Sequence, residues 1–313
     1  MRRLRGWLVT RAYFAGWRLV RLMPERAAYR VFDRIADRSW RRHGPAVQRL
    51  EANLARVRPE VDAAALRELS REGMRSYLRY YCDAFRLPSW SRERLTSTVR
   101  TVGDEPVRDH LAAGRSVVMF LGHLGNWDHA GAWSTLELAQ VTTVAERLEP
   151  QAVFEAFLAF REELGMRIVP LTGSEVFRTL LSAVREGGTF MPLLADRDLS
   201  NNGVEVEFFG ERARMAAGPA ALAVATGAAL FPVSIIYEQV AKRRHGIVIT
   251  WHDQVPVPEG RRGAQVAAMT QACADALAGA IADHPQDWHM LQRVFVADFE
   301  ARPPEEPGQP VTG

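Results

Sequence analysis

At 313 residues with 47% apolar content, the chain can bury a sizeable core, within the range of a single α/β domain. Its formal net charge is only +3 although the pI is near 9.1, so nucleic acid is not an expected partner and the placement of the arginines matters more than their sum. Two cysteines, Cys82 and Cys273, are too few and too far apart for a disulfide framework or a zinc site, which points to a reducing cytoplasmic setting.

The first segment, Met1 to Pro24, carries Arg2, Arg3, Arg5, Arg11, Arg18 and Arg21 among Trp7, Tyr13, Phe14, Trp17 and several aliphatic residues. Arginines interrupt every apolar run, so none approaches the roughly 20 residues needed to span a bilayer. No clean apolar stretch leads to a small-residue cleavage site either. Residues 1–24 are therefore expected to form a helix on an anionic membrane surface, where each arginine adds about 1 kcal/mol. The alternative is a first helix packed on the body with its arginines solvated.

Helical patterns follow at Glu25–Arg42 and Ala63–Phe85, with a polar stretch around Leu50–Arg58 between them. This α-rich portion is expected beside or over a sheet, on the membrane side. From Thr98 the pattern alternates. Strands are expected at 116–121, 141–145, 167–171, 190–195, 204–209, 229–237 and 246–251, and helices near 126–139, 150–164, 174–186, 217–227 and 262–282. The expected fold is α/β, a central mixed β-sheet flanked by helices with an α-helical N-terminal portion; the sheet is mixed because the last strands lack intervening helices. No internal repeat or Gly/Ser linker divides it, so residues 1–300 read as one domain, followed by a Pro-rich disordered tail over 301–313.

The densest chemistry lies in Gly122-His123-Leu124-Gly125-Asn126-Trp127-Asp128, just past an apolar strand candidate. Glycines on either side of His123 permit a sharp turn, and Asn126 suits a helix N-cap. With His123 in the turn and Asp128 in the first helical turn, the carboxylate is expected to reach back to the imidazole. Such a pair can take a proton from a hydroxyl while fixing the tautomer and stabilising the imidazolium, as acyl transfer to an alcohol requires. No serine or cysteine nucleophile stands beside it, so direct attack by the acceptor hydroxyl is favoured over an acyl-enzyme. The plain alternative is a loop histidine and a carboxylate at a helix N-terminus.

A second strand end carries Asp196-Arg197-Asp198, which could converge on the same cleft. Arg197 would suit an anionic headgroup or a CoA phosphate, and Asp196 or Asp198 could bind sugar hydroxyls or hold that arginine; a turn with an internal ion pair is the alternative. Glu205 and Glu207 alternate with apolar residues as on a half-buried strand, and either could support the histidine. Glu146 and Arg147 could pair at a strand end. The small-residue helix around Ala220 to Gly227 leaves room for an acyl chain or for close packing, and a fatty chain would demand a narrow apolar channel. The segment His284 to Arg293 reads as structural, with Trp288 docking the last helix.

The run from Gly122 to Trp133 resembles the H-x4-D/E signature of the lysophospholipid and glycerolipid acyltransferases, in the branch that holds the late acyltransferases of lipid A assembly. Ala145-Glu146-Arg147-Leu148, Phe157 to Arg161, Leu194 to Ser200 and Gly203 to Gly210 are similar to the actinobacterial phosphatidylinositol mannoside acyltransferases, and the likeness extends from the Arg-rich start to about Phe295. The resemblance implies transfer of a palmitoyl-type chain from acyl-CoA, as co-substrate, to the 6-hydroxyl of a mannose on a phosphoinositide glycolipid acceptor, with no cofactor and no metal. It implies a peripheral protein at the cytoplasmic face of the plasma membrane. The expected catalytic set is His123 and Asp128 with Glu205 in support; Arg161, Glu146, Arg147, Asp196, Arg197, Asp198 and Asn126 are expected to bind substrate, Arg161 holding the donor's phosphates or the transition state. Another lipid acceptor, such as a lipid A precursor or a lysophospholipid, is the alternative within the superfamily. A metal-dependent hydrolase using His123, Asp128 and His129 with others of His252, His284 and His289, and a non-catalytic membrane-binding module, are the alternatives outside it.

Overall fold

A computed structural model describes residues 16–145, 151–170, 175–198, 203–241 and 244–300. The first 15 residues of the expected membrane-surface helix, Glu146 and Arg147, and the Pro-rich tail lie outside the described residues. Five strands form the central sheet: β1 (Val99–Val102), β9 (Arg244–Trp251), β8 (Ala229–Ala241), β2 (Val117–Leu121) and β5 (Phe190–Leu194), in that spatial order. Only the β8–β9 pairing is antiparallel, which makes the sheet mixed as expected. A short parallel pair, β3 (Thr142–Ala145) and β4 (Arg167–Pro170), lies next to β5, joined by a Val141–Phe190 bridge and by the Thr143 hydroxyl donating to the Pro192 carbonyl at 2.5 Å.

The two-residue period of β2 sorts its side chains between two cores. Val118 and Phe120 face helices α9 (Val176–Glu186), α10 (Gly218–Thr226) and α11 (Arg262–Asp283), while Val117, Met119 and Leu121 face α6 (Glu105–Ala112) and α7 (Trp127–Glu137). All five are buried, so β2 is the central plank of the sheet, and each large side chain withdrawn from water there stabilises the fold by about 1.5–3 kcal/mol. The small residues of α10 serve close packing: Ala220, Leu222 and Ala223 are fully buried in the first of these cores.

The N-terminal helices form a separate layer. Helix α1 (16–22), α2 (Glu25–Arg42), α3 (Pro45–Val57) and α4 (Ala63–Arg86) pack mainly through α4. The stretch around Leu50–Arg58 is the end of α3, whose Val47, Leu50, Leu54 and Val57 bury one stripe at helical spacing. In α1, Trp17 is buried and donates from Nε1 to the Phe85 carbonyl, whereas Leu19 and Leu22 are 60% and 75% exposed. The described part of the first helix thus packs on the body and still presents aliphatic side chains to solvent.

Two strands and several short helices fall outside the expected elements. β1 is a four-residue edge strand, α6 spans eight residues, and β7 (Glu211–Met215) is charged on its outer face, pairing with β6 (Val204–Phe208) in a hairpin. None carries an apolar run long enough to declare a period by itself. Helix α5 (Arg92–Ser97), helix α8 (Gln151–Glu163) and a terminal turn, α12 (Ala297–Glu300), complete the chain.

Candidate active site

The parallel register of β2 and β5 decides which side chains meet. Leu121 stands opposite Leu194, and the Ala195 amide donates to the Leu121 carbonyl at 2.8 Å, so the turns leaving both strands emerge side by side at their carboxyl ends. His123 and Asp196 each lie two residues beyond that register pair. Their side chains join: Nδ1 of His123 lies 2.5 Å from Oδ1 of Asp196, and the His123 amide donates to Oδ2 at 2.9 Å. A carboxylate can only accept, which places the ring proton on Nδ1 and leaves Nε2 as the basic nitrogen.

Two glycines make the turn possible. A Cβ at Gly122 would stand 3.1 Å from Leu124 Cδ1 and 3.4 Å from Oδ2 of Asp196. Gly125 has φ +55°, and a Cβ there would come within 2.5 Å of the Ile235 carbonyl oxygen, so a side chain is excluded both by conformation and by space.

The segment from His284 to Met290 locks this turn from the other side. Leu124 bridges Trp288, the His289 amide donates to the His123 carbonyl at 2.8 Å, and the Gly125 amide donates to the Asp287 carbonyl at 3.0 Å. The Trp288 indole then donates to Oδ2 of Asp196 at 3.0 Å, both residues being fully buried. Trp288 therefore completes the shell of the orienting carboxylate and is more than a docking residue for the last helix. Nothing in the sequence pairs positions 92 residues apart; an indole in a polar segment, Asp287-Trp288-His289, was the one signal available.

Burial alone would push the Asp196 carboxyl up. Attraction to His123, the two hydrogen bonds from that residue and the Trp288 indole outweigh it and hold the group below the usual carboxylate range. A folded-state pKa below the unfolded one means that this carboxylate stabilises the protein above about pH 4, and that the contribution fades as pH falls toward the depressed value. His289, next to the turn, is pushed down to about 3 by burial and by repulsion from His123 and Arg79, so it stays neutral beside the dyad. Its Nε2 lies 3.0 Å from the Ser76 hydroxyl, which in turn donates to Asp287.

Asp128 does not orient His123. It is buried at the start of α7, where the Tyr80 hydroxyl donates to it at 2.7 Å and Arg161 of α8 grips both oxygens at 2.7 and 3.3 Å. The physical reason is local: Trp127, one residue earlier, sets its ring edge-on against the imidazole, with centroids 5.6 Å apart, and the next side chain around the helix points toward α4 and α8 instead. Arg161 is correspondingly committed to Asp128 rather than held out for a donor phosphate, and this pairing raises its already high pKa despite burial.

Other expected site residues also find different work. Glu205 faces solvent on β6 and pairs with Arg212 and Arg214 across the hairpin at 3.0 and 3.1 Å, because Arg214 is its cross-strand neighbour; it does not support His123. Asn126 does cap α7, accepting from the His129 amide at 2.9 Å, but it is fully buried, and its amide turns to Asp83 at 3.3 Å and away from any substrate. Asp198 closes the turn after β5 by accepting from the Gly203 amide at 2.8 Å, and Arg197 is half-buried beside it. Asp196 holds the histidine rather than a sugar hydroxyl or Arg197. His129 donates to the Leu95 carbonyl, and burial lowers its pKa to about 4. Among the described residues, no three His, Cys, Asp or Glu side chains converge as a metal-ligand set.

An apolar seam of about 30 Å³ runs between the sheet and α7, lined by Leu121, Trp127, Ala130, Gly131, Ile235 and Trp251 among others. It lies on the α7 face, opposite the α10 face where small residues had suggested room. Trp127 belongs both to this seam and to the wall of the His123 turn.

The family model described as bacterial lipid A biosynthesis acyltransferase matches residues 1–296. A phosphatidylinositol mannoside acyltransferase of Mycolicibacterium smegmatis is 42% identical over 298 residues, covering 95% of this chain and 94% of that protein. One of the same name from Mycobacterium tuberculosis is 42% identical over 292 residues, covering 92% of this chain and 89% of that protein.

Proposed function

We propose that this chain, which belongs to the bacterial lipid A biosynthesis acyltransferase family, moves a palmitoyl-type acyl group from acyl-CoA to the mannose 6-hydroxyl of a phosphatidylinositol mannoside. His123 acts as general base. Its Nε2 takes the proton of the attacking hydroxyl as the new C–O bond forms on the thioester carbonyl. The tetrahedral intermediate then collapses with cleavage of the C–S bond, and the imidazolium returns its proton to the departing thiolate. Asp196 is the positioning residue that holds the tautomer and stabilises the imidazolium. No acyl-enzyme is involved.

The observation that carries this reading is a single one. A half-buried imidazole at a strand end has Nδ1 occupied by a buried carboxylate, leaving its basic nitrogen for a substrate. The seam behind Trp127 supports an acyl-chain path that opens as the chain enters. Exposed Leu19 and Leu22 on α1, preceded by the exposed Arg18, support peripheral attachment at the cytoplasmic face of an anionic membrane. Among the described residues, no helix is long and apolar enough to cross a bilayer.

The test is to incubate purified protein with palmitoyl-CoA and a panel of lipid acceptors and to identify products by mass spectrometry. The expected product is the phosphatidylinositol mannoside carrying one added acyl group; acylation of a lysophospholipid or a lipid A precursor instead would replace the proposed acceptor. In the same assay, Asp196→Asn is expected to lower kcat by about 10²–10⁴ while KM for the donor changes by no more than about threefold, because the amide presents the wrong tautomer partner without altering the substrate's contacts. A large KM effect at unchanged kcat would show that Asp196 acts on binding.

A further inference from the structure

A cavity of about 410 Å³ opens between α2, α4 and the β8–β9 hairpin, outside the His123 turn. Arg26 and Arg30, one helical turn apart on α2, face it together with Arg79 of α4. None of the three makes an ion pair with a carboxylate among the described residues, although Arg71 and Arg75 on the same α4 both clamp Asp37. Arg79 instead lies over the Tyr237 ring, 5.1 Å from its centroid.

The rest of the surroundings compensates this positive charge only in part. His245 is pushed down to about 4 by burial and by Arg79, so it is a neutral hydrogen-bonding group at physiological pH. Gln239 adds an amide. Asp33 is the one carboxylate in the wall; burial and neighbouring Asp37 raise its pKa, while Arg79 and Arg75 oppose them. Three guanidinium groups thus stand over one carboxylate in the wall, with the buried Asp83, which Arg79 also attracts, beneath it. The floor is stiff, since the hydroxyls of Tyr29 and Tyr237 both donate to the fully buried Asp83, at 2.5 and 3.2 Å. Like charges held around a preformed hole repel one another unless an anion enters.

Position argues for the source of that anion. β8 runs parallel to β2, so the hairpin extends beyond the same strand ends that carry His123. Helix α2 also exposes Val31 and Ile35 at 37% and 47%, and Leu22 precedes it, so one helix offers both arginines and aliphatic side chains to an approaching bilayer. We infer that this cavity binds the phosphate of a membrane phospholipid headgroup, separately from the acyl donor and acceptor at His123.

The test compares Arg26→Gln/Arg30→Gln with Arg34→Gln/Arg38→Gln, which removes the same charge from exposed α2 positions outside the cavity. Binding to phosphatidylcholine vesicles with and without phosphatidylinositol is measured by co-sedimentation, and inorganic phosphate and coenzyme A are titrated in thermal-shift assays. The cavity pair is expected to lose about tenfold or more in affinity for the phosphatidylinositol vesicles and to lose its thermal response to phosphate; the control pair is expected to keep most of both. The Arg26→Gln/Arg30→Gln protein should keep the wild-type kcat on a detergent-dispersed acceptor, which separates this site from the transfer reaction; a loss of kcat equal to the loss of vesicle binding would place the two in one site. Equal losses in both pairs would reduce the cavity to diffuse surface charge and overturn the inference. So would a response to phosphate without any effect on vesicle binding, or protection by coenzyme A that depends on Arg26 and Arg30.

Discussion

His123→Ala is expected to lower acyl transfer by about 10³-fold or more while leaving donor binding near the wild-type level. The imidazole is the group whose basic nitrogen remains available once Asp196 has taken Nδ1, and no other histidine can replace it: His289 and His129 are held neutral by burial and bonded elsewhere. Some stability is lost as well, about 1–2 kcal/mol, because the buried Asp196 loses one of its donors and keeps the backbone amide and the Trp288 indole. Turnover is measured with palmitoyl-CoA and acceptor, and folding by circular dichroism. An alanine variant with wild-type turnover would remove His123 from the chemistry.

Asp128→Ala is expected to destabilise the fold by about 3–5 kcal/mol, with the activity of the remaining folded protein much less affected than in the histidine variant. The substitution strands Arg161, whose side chain is 16% exposed, and leaves the Tyr80 hydroxyl without its acceptor. Asp128→Ala combined with Arg161→Met is expected to recover much of the loss, since the uncompensated buried charge is then gone. Urea denaturation of the single and double variants measures both. Undiminished stability together with a large drop in kcat would return Asp128 to the proton-transfer machinery.

These two expectations divide the H-x4-D pattern into separate jobs. On the proposed mechanism the histidine does the chemistry, while the aspartate ties α7 to α4 and α8 so that the turn before it is held still. Residues can keep one spacing in sequence because the fold needs them together, without touching one another. Trp127 is the physical link: its ring fills the space between imidazole and helix, stacking on Tyr80 with centroids 4.0 Å apart.

What could be read from the residues alone was whatever depends on local periodicity or on a turn. The apolar run of β2, the glycines around His123, the Asn126 cap, the α/β alternation and the long N-terminal helices follow from side-chain preferences over a few neighbours. Short or charged elements such as β1, α6 and β7 escaped, because each is stabilised by its partner strand or helix and carries little signal of its own.

Which carboxylate serves the histidine was decided only by the tertiary structure. Sequence proximity favoured Asp128, five positions away; strand register brought Asp196 in from 73 positions away, and the closing segment supplied Trp288 to hold it. Glu205 likewise turned to Arg214 because a hairpin set them opposite each other. Parallel strands place the residues beyond their ends side by side whatever the length of chain between them, so the turn that carries His123 could be read locally and the partner of its imidazole could not.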